Sequence, residues 1–165
     1  MTSARPKSAR PAAFAGAVAV LLAAAGCSQP APGVQAASVA APTPGAARIW
    51  FYRDFEPSIS LNMAPVQLNG ANAGYVRPDG IAFFRDVLPG HYHITVSSDG
   101  TDGNQDRDVD LGSGQEAYVK VLASDQWLSG AGDFSSFKRD TFFVALVPPQ
   151  IARAELSSRA VESAR

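Results

Sequence analysis

The chain has 165 residues, of which 14 are basic, 15 acidic and one a cysteine, for a formal charge of −1 with both histidines neutral. That balance supplies no basic patch for nucleic acid or for an anionic membrane surface, and a lone thiol excludes an internal disulfide. The length suits one domain with one sizeable core.

The first element is the apolar run of residues 14–27, FAGAVAVLLAAAGC, behind a leader that holds Arg5, Lys7 and Arg10 and no acidic residue. This is the layout of a secretory signal peptide. Its 14 residues fall short of the roughly 20 needed to cross a bilayer as a helix. Ala24, Ala25 and Gly26 before Cys27 resemble the lipobox of bacterial lipoproteins, with Ala24 at the place where that family favours leucine. The resemblance implies cleavage between Gly26 and Cys27 and acylation of the Cys27 sulfur. Ser28, rather than aspartate, follows the cysteine, which by the same resemblance implies export to the outer membrane, facing the periplasm. The chemistry agrees: in an oxidising compartment an unpaired thiol has no partner within its chain, and the Pro-rich flank offers no core to bury it. From Cys27 onward the chain carries 11 basic and 15 acidic residues, a net charge of −4.

Residues 28–47, SQPAPGVQAASVAAPTPGAA, contain no aromatic and no charged residue. Such a segment buries too little apolar surface to offset its ordering entropy, so residues 27–47 are expected to be a lipidated, disordered tether. Composition changes at Arg48. Residues 48–53, RIWFYR, form a predicted strand covered on both faces, because apolar side chains occupy both alternating sets. Residues 65–69, PVQLN, form a second, residues 70–73 a turn, and residues 74–77 a third, as a hairpin.

After the Pro78-Asp79-Gly80 turn, residues 81–87 form a fourth strand. In residues 91–97, HYHITVS, Tyr92, Ile94 and Val96 alternate with His91, His93, Thr95 and Ser97, a period of two that predicts an antiparallel strand with one wet face. Residues 106–111, 115–123 and 141–147 complete the predicted strands, with a Gly-, Ser- and Asp-rich excursion at 124–140 carrying Trp127, Phe134 and Phe137. Pro149 then opens a predicted charged helix over residues 150–165. Seven or eight short strands divided by turns point to an all-β, antiparallel sandwich over residues 48–147, with a short C-terminal helix in residues 148–165.

The chain also resembles the DUF2846 domain, a family of uncharacterised bacterial proteins that are often lipoproteins. The resemblance rests on Tyr52 and Arg53 in the opening strand, on Leu68, Asn69 and Gly70, on Leu88, Pro89, Gly90 and His91, and on Ala117, Tyr118 and Val119. It covers residues 48–147 and implies a prealbumin-like or Ig-like sandwich. Sandwiches of this kind mostly serve as binding or spacer modules, an analogy of fold that leaves function to be argued from the site.

His91 and His93 are candidate metal ligands, since alternate strand positions project both imidazoles from one face. A zinc site needs a third ligand, and the sequence names none. Asp106, Asp108 and Asp110 fail the EF-hand pattern, which wants Gly at its sixth and Glu at its twelfth position where this chain has Leu111 and Ala117. They read instead as a charged strand edge. No Gly-x-Ser-x-Gly elbow or phosphate-binding glycine loop occurs. Trp127, Phe134 and Phe137 are candidates for a ligand or partner surface, with capping of the sandwich as the competing role.

The expected function is a non-enzymatic lipoprotein of the bacterial envelope, held to the bilayer through Cys27, needing no cofactor and presenting its sandwich to an envelope protein partner. The alternative is a glycan- or metal-binding module using residues 124–140 or the two histidines.

Overall fold

The computed structural model describes residues 34–98, 103–129 and 136–162. The leader, Gly26 and Cys27 lie outside them. Strand β2, Ala47–Tyr52, is buried at all six positions. Ile49 and Phe51 turn to one side and join the larger core, while Trp50 and Tyr52 turn to the other and join a second cluster with Ala152, Leu156 and Val161. Full burial of side chains of this size stabilises the fold by about 1.5–3 kcal/mol each, and burial on both faces requires a layer on each side.

Those layers are a second sheet and a helix. Among the described residues, sheet A has the order β1-β10-β5-β2-β8-β9 and sheet B the order β4-β3-β6-β7. Their strands are β1 Val34–Gln35, β3 Ala64–Leu68, β4 Ala71–Val76, β5 Ala82–Val87, β6 Gly90–Val96, β7 Asp106–Leu111, β8 Glu116–Ser129, β9 Ser136–Leu146 and β10 Ala160–Glu162. The sheets pack face to face over Val66, Val76, Ile94, Val119, Val121 and Val144. Helix α1, Pro149–Leu156, and the 3-10 turn Ala36–Ser38 lie on the outer face of sheet A.

The all-β sandwich with its C-terminal helix is therefore the observed class. Within it β2 runs parallel to β8, and β10 parallel to β5. Parallel neighbours need a crossover. The path between β2 and β8 passes through sheet B, and α1 lies on the path into β10.

Four expectations are corrected. The turn at 70–73 is shorter: Asn69 and Gly70, at φ of 50° and 78°, make a two-residue turn between Leu68 and Ala71, the backbone pairing that matches the twist of a hairpin. A register shift between Val66 and Gln67 takes up the extra residue, Ala73. The excursion at 124–140 is largely ladder, with β8 and β9 paired from Val119–Leu146 out to Ser129–Ser136. Each added antiparallel pair satisfies backbone groups, which outweighs the Ser and Asp content.

The predicted helix over 150–165 stops at Leu156, and the chain re-enters a sheet as β10. Arg159 draws it there by donating to the Arg53 carbonyl at 2.7 Å and to Asp54, while Val161 is buried. The predicted disordered tether is ordered from Val34. β1 pairs antiparallel with β10, and the Arg48 guanidinium donates to the Ala40 carbonyl while pairing with Asp86. Low apolar content did not matter there, because the sheet margin and a buried arginine supply partners from outside the segment.

Candidate functional site

The sequence candidates fall in three separate places. Cys27 lies outside the described residues and precedes β1 by seven positions. Trp127 and Phe137 stand in the β8–β9 ladder, opposite Lys138 and Leu128 respectively, rather than in a loop, and Phe134 lies outside the described residues.

The histidines occupy the predicted face of β6, with Ile94 and Val96 buried on the other. Their register partners are acidic, His91 opposite Asp110 and His93 opposite Asp108, on β7, the edge strand of sheet B. His91 Nδ1 is 2.9 Å from Asp110 Oδ1, and His93 Nδ1 is 2.8 Å from Asp108 Oδ1. The hydrogen bond with Asp110 raises the proton affinity of His91, and that with His93 holds the Asp108 carboxyl below its ordinary range. Among the described residues no group of three or more His, Cys, Asp or Glu side chains is placed to hold a metal ion. The alternating aspartates on β7 are exposed, as an edge kept soluble by charge requires.

Among the described residues, the sequence motifs leave out an extended polar assembly. It lies between α1 and the outer face of sheet A, where the strand period of two aligns Glu116, Tyr118 and Lys120 beside Trp50 and Tyr52. Glu116 accepts from Trp50 Nε1 at 3.1 Å, from the Tyr118 hydroxyl at 2.7 Å and from Arg153 at 3.2 Å. Burial works to raise its carboxyl, but those three donors outweigh it and the group is held low. Further along the same strand, Lys120 Nζ reaches Asp54 at 2.8 Å and Glu155 at 2.9 Å, and the Tyr52 hydroxyl donates to Glu155 at 2.8 Å. Burial and the Glu155 contact both push the Tyr52 phenol upward.

A cavity of about 290 Å³ opens beside Trp50, Tyr118, Glu116 and Arg153. Both Glu116 oxygens and the Tyr118 hydroxyl are already engaged. The assembly acts as a clasp that seats α1 on the sheet. Its sequence signal was the alternation of residues 116–120, with Glu116, Tyr118 and Lys120 on one side of Ala117 and Val119.

Comparison with protein-family models, curated proteins and solved structures finds no match for this chain.

The short motifs quoted above nonetheless have structural work to do. Arg53 is only 1% exposed and donates to the carbonyls of Asn62 and Ser60, both at 2.9 Å. Asn69 and Gly70 make the tight turn, and Asn69 Oδ1 accepts from the His93 amide. Leu88 accepts from the Tyr92 hydroxyl at the crossing between sheets.

Proposed function

We propose that this chain is a DUF2846-like lipoprotein of the bacterial envelope, acylated on Cys27 and facing the periplasm from the outer membrane. In this reading its sandwich serves as a non-catalytic interaction or structural module. The observation that carries it is the run of residues 14–27, a short apolar core behind a basic leader and ahead of the single cysteine. The sandwich supports the reading of a presented module, since the described residues from Val34 onward pair into two packed sheets. Each buried methylene contributes about 0.8 kcal/mol, and one acyl chain alone binds only marginally, so durable attachment needs two or three chains on the sulfur.

Intact mass spectrometry of the protein extracted in detergent from a bacterial host tests the anchor. The expected mass begins at residue 27 and includes two or three acyl chains, and a Cys27→Ser protein loses them. A protein with its leader uncut and its thiol bare overturns the reading. Chemical crosslinking in envelopes should then yield a stoichiometric protein partner.

One observation favours the alternative, a metal- or glycan-binding module. His91 and His93 share an exposed strand face with Asp108 and Asp110. A rise in melting temperature on titration with zinc or a glycan, lost in a His91→Ala, His93→Ala double variant for zinc, selects that reading over a protein partner.

A further inference from the structure

Eight large apolar side chains are exposed among the described residues, and three of them, Phe55, Leu61 and Met63, fall in the connection from β2 to β3. A fourth, Tyr75, shares a cavity with Met63. They are 62%, 65% and 56% exposed in the order Phe55, Leu61, Met63. The connection is firmly held: Arg53 fixes the carbonyls of Ser60 and Asn62, and the side chains of both residues donate to Asp140 Oδ2 at 2.6 Å. A braced loop that keeps several large apolar groups in water marks a contact surface.

The position of that loop identifies what it contacts. Phe55 borders a cavity with Ala160, and Ala160 is the cross-strand partner of Gln35 in β1. The loop is thus next to the strand by which the chain from Cys27 joins the sheet. Six residues separate Cys27 from Val34, at most about 25 Å from one Cα to the other when fully extended. A body of this length has a radius of gyration of about 14 Å, so it is wider than its tether is long. Residues 54–63, DFEPSISLNM, contain no basic residue and two acidic ones, Asp54, which is already paired with Lys120 and Arg159, and the half-buried Glu56. That charge pattern fits a zwitterionic lipid surface rather than an anionic one.

We propose that the β2–β3 loop docks on the bilayer interface, with Phe55, Leu61 and Met63 entering zwitterionic lipid, so that the sandwich lies against the membrane instead of swinging free of it. This rests on the lipid anchor proposed above. A body held by its anchor alone would leave these side chains in water.

Acylation consumes the Cys27 thiol, so in the full-length lipidated protein an introduced cysteine is the only thiol. Leu61→Cys, carrying a polarity-sensitive fluorophore in phosphatidylcholine vesicles, should shift to the blue. It should also lose about half of its emission or more to lipids bearing a shallow nitroxide, the depth reached by interfacial side chains. Leu88→Cys is the control: Leu88 is 77% exposed and follows the end of β5 that pairs with the start of β2, at the other end of the sandwich. Its label should stay in water.

A Leu61 label that stays in water on a chain whose Cys27 is acylated by mass overturns the docking and leaves the anchor standing. A label shielded from the nitroxide lipids but self-quenched assigns the loop to a second copy of the chain and also overturns it. Two labels per chain show a free Cys27 and overturn anchor and docking together.

Discussion

Replacing Arg53 with methionine measures what a buried guanidinium contributes to the β2–β3 loop. Its two terminal nitrogens each make a 2.9 Å bond to a loop carbonyl, and the group lies over the Phe142 ring at 5.5 Å. Hydrogen bonds from a charged donor contribute about 1.5–3 kcal/mol each, and a carbonyl stripped of its donor costs about 1–3 kcal/mol when buried. Opposing them is the desolvation of the cation, several kcal/mol, made worse here because Nε has no partner. Methionine keeps most of the apolar stem and escapes that penalty, so the net loss should be about 3 kcal/mol, two charged bonds taken at the low end of their range. A domain of this size loses roughly 4 °C of melting temperature per kcal/mol, so thermal unfolding followed by circular dichroism should shift down by about 12 °C. Arg53→Lys can restore only part of the fork and should fall between. A drop of less than about 3 °C, under 1 kcal/mol on the same scale, would refute the reasoning, because desolvation would then cancel both bonds.

Asp54, Glu116 and Glu155 bind protons less readily than in a free chain: burial opposes this in each, but donors from Lys120, Arg159, Tyr118 or Tyr52 prevail. Because the folded values are depressed, their stabilisation is complete above the ordinary carboxylate range near 4 and is lost as pH falls through the folded values. Melting temperature should therefore decline below about pH 4, with a shallower decline in Glu155→Gln; a melting temperature that does not fall there contradicts the clasp, whereas His91, whose proton affinity is raised, acts in the opposite sense and only near neutral pH. Gly74 has φ +141°, and a Cβ there would sit 3.0 Å from the Phe83 ring. Gly74→Ala should cost about 1–3 kcal/mol, read from the urea midpoint, and a midpoint equal to the parent's would mean that Phe83 yields freely.

Where one physical signal dominated, the strands were legible. Residues 48–53 were apolar in both alternating sets, and β2 is buried on both faces. Residues 91–97 had a strict period of two, and His91 and His93 face outward. The misses share another cause, that the partner lies far along the chain. Nothing near residues 34–35 indicates β10, nothing near 160–162 indicates β5, and the composition of 124–140 hides a ladder whose strength is in its pairing. Likewise the outward face of the histidines was readable, while the aspartates opposite them depend on the register of β6 with β7. Arg53 was visible only as half of a Tyr-Arg pair, because its two acceptors are backbone carbonyls that no side-chain pattern reports.

The pairing of β1 with β10 also sets an order of events during synthesis. Among the described residues of sheet A, β1 neighbours only β10, whose residues 160–162 are made long after residues 34–35. Residues 34–35 therefore have no ladder to join until β10 has been made. Arrival of β10 is thus the step that seats β1 at the margin of the sheet, a closure that waits on distant sequence and cannot begin locally.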